Sequence, residues 1–487
     1  MTSTGAGENL VLAAEFPEAG RDDWLKLVAK VVGVDDLAAA EQALTTTLFD
    51  GIATRPLYVA AGGDDVGVPG AAPFVRGTRQ RGNLGGWDVR TRHDHPDVAT
   101  VHEQVVEDLE GGTTSLWLVL GEGAIGLDAL DGVLDQAYLD LITVTIDASA
   151  EFASAADRYL DLARERGHEA KELSVRFGAD PVGAEASSGS AVDIEPAVAL
   201  AQRASSELPE ARAFTVDALP YHEAGADDAQ EIACSVAAGV TYLRAMRDAG
   251  LSAEAAFGQL EFRYAATADQ FLTIAKLRAA RQVWSKVAQS CGVTSPVAGQ
   301  LQHAVSSPSM LTRRDPWNNI LRGTLAAFSA GVGGASAITV LPFDHAIGYS
   351  DRLARRIARN THALLMDESN LTRTVDPAGG SWYVEELTRE VARSAWSVFQ
   401  DIERAGGALT ALRGGVIGEL LERRRAEHLA ALADRTAKIT GVTEFPLVGE
   451  VALVREPRPA RPSGGLPRVR WAEAYEAELD RSGEGAS

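Results

Sequence analysis

The stretch QLEFRYAATADQFLTIAKLRAARQVWSKVAQSCGVTSPVAGQLQHAVS, Gln259 to Ser306, decides the fold class. It opens on a short strand-like run, Gln259–Tyr264, and closes on another, Leu301–Ser306. Between them, Thr267 to Ser290 repeats at helical period, with Phe271, Ile274, Leu277, Ala280 and Trp284 sharing one face at steps of three and four. Gly292 stands where a helix C-cap belongs. Two strands joined through a helix lie parallel, because the crossover carries the chain back to the edge it started from.

Working outward, the same pattern recurs. Trp87–Arg90, Ser115–Leu120, Leu141–Asp147, Glu172–Phe177, Ala213–Asp217 and Ala337–Leu341 bring the strand-like runs to eight. Ala-, Leu-, Glu- and Arg-rich helical stretches separate them, Asp227–Gly250 being the clearest after the one above. An α/β chain with eight such units predicts a closed (β/α)8 TIM barrel, here over residues 71–405, rather than an open doubly wound sheet. Neither G-x-G-x-x-G nor a Walker pattern follows a strand, so a nucleotide fold has no support. Residues 1–70 read as an N-terminal helical arm, with an amphipathic helix over Asp22–Val32 that gathers Trp24, Leu27, Val28 and Val31. Residues 406–487 read as a helical and linker extension, with Glu456–Gly465 (EPRPARPSGG) extended and a last helix over Trp471–Leu479.

Composition narrows the function. Of the 487 residues, 46 are Lys or Arg and 68 are Asp or Glu, a formal net charge of −22 that repels nucleic acid and anionic membrane surfaces. The apolar runs are far shorter than a membrane span. The first twenty residues carry no basic n-region, so no secretory signal is expected. Cys234 and Cys291 are too few for a disulfide framework or a cysteine metal site, and a cytoplasmic chain is expected.

Barrel chemistry sits at the C-terminal ends of the strands. Arg92-His93-Asp94-His95, Tyr221-His222-Glu223, His303 and Asp344-His345 fall there. One reading is a metal-dependent hydrolase in which His93, His95, His222 and Asp344 converge on Zn²⁺ and activate water. The plainer reading leaves His93 and His95 in a polar, solvent-facing loop before Pro96 and expects no metal. Asp315 reads as a helix cap with Asn318 and Asn319 in the first turn, and Asp376–Tyr383 as a tight turn closing the bottom or side of the barrel.

Six segments carry a resemblance. Pro73-Phe74-Val75-Arg76-Gly77, Trp87-Asp88-Val89-Arg90 and Ile274–Arg281 (IAKLRAAR) are similar to the barrel entry, first strand and a helix of the methylmalonyl-CoA mutase family. Ala354–Thr361 (ARRIARNT), Asp376–Glu385 (DPAGGSWYVE) and Ile439–Val442 (ITGV) resemble further segments, so the likeness runs from about residue 70 to 446. It implies an adenosylcobalamin-dependent rearrangement of an acyl-CoA that threads an unusually open barrel lined by small residues, with cobalamin on a separate C-terminal domain. The family's cobalt-ligating D-x-H-x-x-G does not occur here. Residues 466–487 fall where that domain would begin, so a chain cut before it is expected.

Within the barrel the departures are several. The family's substrate-site tyrosine corresponds to Arg92, a glutamine to Gly178, and the R-x-H-x-Q-T-S strand reads Leu301–Ser307, keeping His303 while Leu301 and Val305 replace the arginine and glutamine. Arg90 and His222 match an arginine and a histidine of the substrate site. The resemblance therefore implies a small, non-catalytic subunit of a heterodimeric methylmalonyl-CoA mutase. Arg90, His222 and His303 would be remnants of substrate binding, with no catalytic residue. Adenosylcobalamin would be held by another chain, and a large catalytic subunit would be the partner, embraced by the N-terminal segment, anchored at the Trp24 helix, and by the C-terminal linker. The alternative is a catalytic acyl-CoA mutase subunit that uses a cobalamin domain on another chain; the joint changes at Arg92, Gly178, Leu301 and Val305 weigh against it.

Overall fold

A computed structural model describes residues 17, 19–48, 51–59, 67–447, 449–459 and 464–484. The chain divides into two compact units, residues 1–60 and 61–487. In the first, helices Arg21–Val32 and Leu37–Leu44 pack together, the first ending at Gly33 in the left-handed conformation (φ +80°) and the second capped by the Asp36 carboxylate. A two-stranded antiparallel ribbon follows, Thr46–Thr47 with Ala53–Thr54. The Arg21–Val32 helix buries Leu25 and Ala29, with Trp24 and Val28 half-buried, while Leu27 and Val31 are exposed. The expected Trp24–Leu27–Val28–Val31 face is thus split.

In the second unit eight parallel strands close into a barrel: β1 (Asp88–His93), β2 (Ser115–Val119), β3 (Thr143–Asp147), β4 (Ser174–Ala179), β5 (Arg212–Asp217), β6 (Leu260–Ala266), β7 (Gln302–Ser306) and β8 (Ala337–Thr339). Each coincides with one of the eight runs in the sequence. β8 closes on β1, with Ala337 opposite Asp88 and Ile338 opposite Val89.

The helix between β6 and β7 spans Gln270–Ser290 and starts at Asp269, whose carboxylate accepts from Leu272 N. Ile274, Leu277, Ala280 and Trp284 are buried as the periodicity requires; Phe271, at the helix entry, is 43% exposed. The polar side of this helix is buried too. Lys276 Nζ meets Asp228 at 2.7 Å and Glu231 at 2.8 Å, and Arg278 is held by Asp376 and Glu385. Arg281 donates to the carbonyls of Phe74, Val75 and Gly333 and to Gln302 Oε1. Each cation in the IAKLRAAR segment therefore ties the helix to a different neighbour, and its burial is tolerable because carboxylate or carbonyl partners meet it there. Asp376 also accepts from Arg76, so the Asp376–Tyr383 turn closes the flank of the barrel as expected.

Asp315 does not cap its helix. It adopts a positive φ of 43° and binds the Asn318 side chain, and the helix begins at Asn318 after Trp317. Asn319, a poor helix former, is present because its amide donates to Thr312 O and Phe343 O and fastens the helix to two loops.

Candidate functional site

Strand alternation sends Asp88, Arg90 and Arg92 of β1 into the barrel and Thr91 and His93 outward. The register aligns Arg90 with Ser115 and Arg92 with Trp117 on β2, and Thr215 and Asp217 of β5 with Glu261 and Arg263 of β6. Two ionic layers result. In the lower one the buried Glu261 accepts from Arg90 Nη1 at 2.5 Å and from Arg176 Nε at 3.0 Å, and Arg90 Nε also reaches Ser115 Oγ. Burial opposes the charge on Glu261, but Arg90 and Arg176 outweigh it and hold the carboxyl below its usual range.

In the upper layer Arg263, 2% exposed, donates to Asp217 at 2.7 Å and Asp147 at 3.3 Å, and its guanidinium lies 4.0 Å from the Trp117 ring centroid. Trp117 Nε1 in turn donates to Asp147. The axis is filled. Where an open barrel lined by small residues was expected, the interior positions hold arginine, tryptophan and carboxylates paired with one another. The sequence signal was present, since LEFRYAA places charges at alternate positions of a strand that should be apolar throughout if packed on both faces.

His303 lies in the same interior. Its Nε2 bonds to Thr339 Oγ1 at 2.8 Å, and because that hydroxyl donates to Arg90 O, Nε2 must carry the proton. Nδ1 then accepts from Arg263 Nε. Burial, with Arg90 and Arg263 adding to it, pushes this imidazole well below its ordinary pKa, so it is neutral. His222 is 6% exposed; Nε2 meets Ser307 Oγ at 2.6 Å and Nδ1 faces Glu231 Oε2 at 3.4 Å. Arg90, His222 and His303 thus each have protein partners, and His222 sits apart from the axial pair.

Gly178, next to last in β4, has φ +68°, and a Cβ there would lie 1.8 Å from Ile146 O. No side chain fits without moving the main chain. Arg92 pairs with Asp94 and lies against Trp117.

Above the ionic layers, at the C-terminal mouth, a cavity of about 460 Å³ is lined by Trp117, Arg263, Asp217, Val305 and the loops after β2 to β5. Its walls carry Glu122, Asp147, Glu151, Asp180, Asp217 and Glu223 against Arg92, Arg263 and Arg468, an acidic surplus that repels phosphates. Asp180 caps helix Pro181–Ser188 and accepts from Asp217 N and the Tyr242 hydroxyl; burial, which exceeds the help from these donors, pushes it up to about 7.

The segment read as an extended linker is seated around this mouth. Arg455 pairs with Asp344 and Asp351, Glu456 O accepts from Tyr349 N, and Arg458 pairs with Asp94 and donates to His345 O. After residues 460–463, which lie outside the described ones, Leu466 N donates to Ala186 O, Val469 N to Glu223 O and Trp471 N to Ser309 O. The chain so visits the loops after β8, β1, β4, β5 and β7. Helix Glu473–Glu484 follows, with the fully buried Glu476 accepting from Arg313 N, Arg314 N and Arg470.

The proposed zinc set does not assemble. His93 points outward between Asp108 and Arg355, and burial, reinforced by Arg355, lowers it to about 3. His95 accepts from Asp97 N and packs against the Tyr349 ring at a tilt of 55°, and Asp344 is taken by Arg455. Both histidines are buried rather than solvent-facing, which also corrects the plainer reading. Among the described residues no group of three or more His, Cys, Asp or Glu is placed to hold a metal ion.

Comparison with known proteins agrees with the architecture. Residues 120–455 match a family model described as methylmalonyl-CoA mutase. The chain is 55% identical over 483 residues to a methylmalonyl-CoA mutase small subunit of Streptomyces virginiae, covering 98% of this chain and 78% of that one. Against the small subunit of Propionibacterium freudenreichii subsp. shermanii it is 39% identical, covering 99% and 79%. A methylmalonyl-CoA mutase of Escherichia coli is 27% identical, covering 87% of this chain and 64% of that protein.

Proposed function

Because the chain belongs to the methylmalonyl-CoA mutase family, we propose that it is the non-catalytic partner in a two-chain mutase that interconverts methylmalonyl-CoA and succinyl-CoA. The observation that carries this reading is the filled axis. An acyl-CoA needs a passage through the barrel, and here Arg90, Glu261, Arg176, Arg263 and Trp117 occupy it. Arg90, His222 and His303 then serve the fold: remnants of a substrate site, each committed to a protein partner, and none of them catalytic.

Adenosylcobalamin is assigned to the other chain. What supports this is that residues 455–459 and 464–471 lie along the barrel face where a cofactor would have to stand. The arm that ends at residue 60, with Leu27 65% and Val31 86% exposed, is the part we assign to gripping the large chain. No helix among the described residues is long and apolar enough to cross a membrane, in keeping with a cytoplasmic complex.

The test is turnover of methylmalonyl-CoA with added adenosylcobalamin by this chain, by the large chain, and by both together. Activity is expected only where the large chain is present, and Arg92→Tyr here should leave the activity of the pair unchanged. Turnover by this chain with an isolated cobalamin domain would overturn the reading in favour of the catalytic alternative.

A further inference from the structure

Beside the seam of β1 and β8 lies a second cavity, of about 40 Å³, that shares only Arg92, Leu341 and His345 with the mouth cavity. One water needs roughly 10–15 Å³, so the space suits a small polyatomic ion rather than a nucleotide. One wall is a face of helix Arg352–Ala363, where Arg355, Ala358, Arg359 and His362 recur at i, i+3, i+4 and i+7. Asp108 of helix Val98–Glu110 meets that face, and Arg92, Asp94 and Arg458 join the lining from β1, the loop after it and the C-terminal segment.

Charge decides what the cavity can hold. Arg355 and Arg359 share the single carboxylate of Asp108, and Arg92 and Arg458 share that of Asp94. Four guanidiniums, each at most 19% exposed, thus face two carboxylates. The surplus of two positive charges stands inside a chain of net charge −22. Arg90, also in the lining, is met by Glu261, and Glu456 is 67% exposed and turned to His95. Burial opposes the charge on Asp94, but Arg92 and Arg458 outweigh it and hold the carboxyl below its usual range. A buried charge in surplus is costly until a counter-ion meets it.

His362 adds a directed donor. An indole N–H can only donate, so His362 Nδ1 is the acceptor of the 3.0 Å bond from Trp87 Nε1. Burial lowers the imidazole to about 4, so it is neutral and its one proton sits on Nε2. The residue is 2% exposed and lines the cavity, and that N–H has no acceptor among the described residues. Arg359 Nε is also buried without an acceptor.

We propose that this cavity binds a divalent tetrahedral oxyanion, inorganic phosphate or sulfate, with His362 Nε2 donating to it and Arg92, Arg355, Arg359 and Arg458 supplying the charge. A carboxylate would bring one negative charge where two are missing. The site belongs to this chain alone and is independent of the two-chain reading above.

The experiment titrates the full-length chain with sodium phosphate, sulfate, acetate or chloride at matched ionic strength, following melting temperature and heat of binding. Phosphate and sulfate should raise the melting temperature saturably at one site per chain, and acetate and chloride should not. His362→Phe, which removes the donor and keeps the arginines, should raise the half-saturating concentration by roughly tenfold or more, measured against its own baseline. R359M/R458M, which leaves each carboxylate one guanidinium, should abolish the saturable response. R164Q is the control and should titrate as wild type, since Arg164 is 70% exposed and paired with Asp161 elsewhere on the barrel. Wild-type crystals soaked in selenate give a reading that no variant's folding can disturb: an anomalous peak within hydrogen-bond distance of His362 Nε2. An equal response to chloride, a response that survives R359M/R458M, or a cavity without selenate would overturn the site. Saturable binding of acetate alone would overturn the assigned ligand class.

Discussion

Replacing Glu261 by glutamine tests whether the barrel axis is closed. The carboxylate is 1% exposed and serves two buried guanidiniums at 2.5 and 3.0 Å. Glutamine keeps the volume and removes the charge. Of its charged partners Arg90 would retain Asp88, at 3.4 Å and partly open to water, beside the Ser115 hydroxyl, and Arg176 would keep backbone carbonyls alone. Breaking a buried ion pair from one side costs about 3–5 kcal/mol, most of it the penalty for an uncompensated buried charge. A unit of about 430 residues has an unfolding entropy of roughly 0.9 kcal/mol per kelvin, so the melting temperature should fall by about 3–6 °C. Replacing all three members with apolar residues, R90M/R176M/E261L, should recover most of that loss. Circular dichroism melts of the three proteins provide the measurement. An E261Q melt within about 1 °C of wild type would mean that water already reaches the arginines, and the filled-axis argument would fail.

Four further outcomes are expected. Gly178→Ala should destabilise by about 3 kcal/mol or more, because its Cβ would collide with Ile146 O and the backbone has positive φ; an urea titration checks it. Melting temperature should fall as pH drops below about 6.5: His93 at about 3, His362 at about 4 and the similarly lowered His303 stay neutral in the native state while the unfolded chain takes up protons, each contributing on the order of 1.4 kcal/mol per pH unit. Asp180, raised to about 7, has the opposite sign, giving stability at low pH that is lost as pH rises through 7, so Asp180→Asn should steepen the acid decline. Glu476→Ala should strip Arg313, Arg314 and Arg470 of their shared acceptor and speed tryptic cleavage within residues 464–484, with the barrel core left intact.

What the sequence determined by itself was the order and kind of elements. Eight runs such as LITVTID and LQHAVS, each separated by a helical stretch, leave few ways to pack other than a closed parallel barrel, because period and crossover length are local properties of the chain. The kinship was legible too, since IAKLRAAR and DPAGGSWYVE keep residues whose cations and carboxylates tie one helix to the barrel flank. The fate of the axis was not. Whether Arg90 greets a substrate or Glu261 depends on two residues 171 positions apart being brought to 2.5 Å, and no local pattern states that distance. The same holds for Gly178, whose lost side chain reads as a missing contact in sequence and as a backbone collision in space. It holds also for the Pro/Arg segment, which by composition reads as an extended linker. Only the tertiary structure seats Arg455 and Arg458 on Asp344 and Asp94, because a guanidinium finds its carboxylate through the fold and not along the chain.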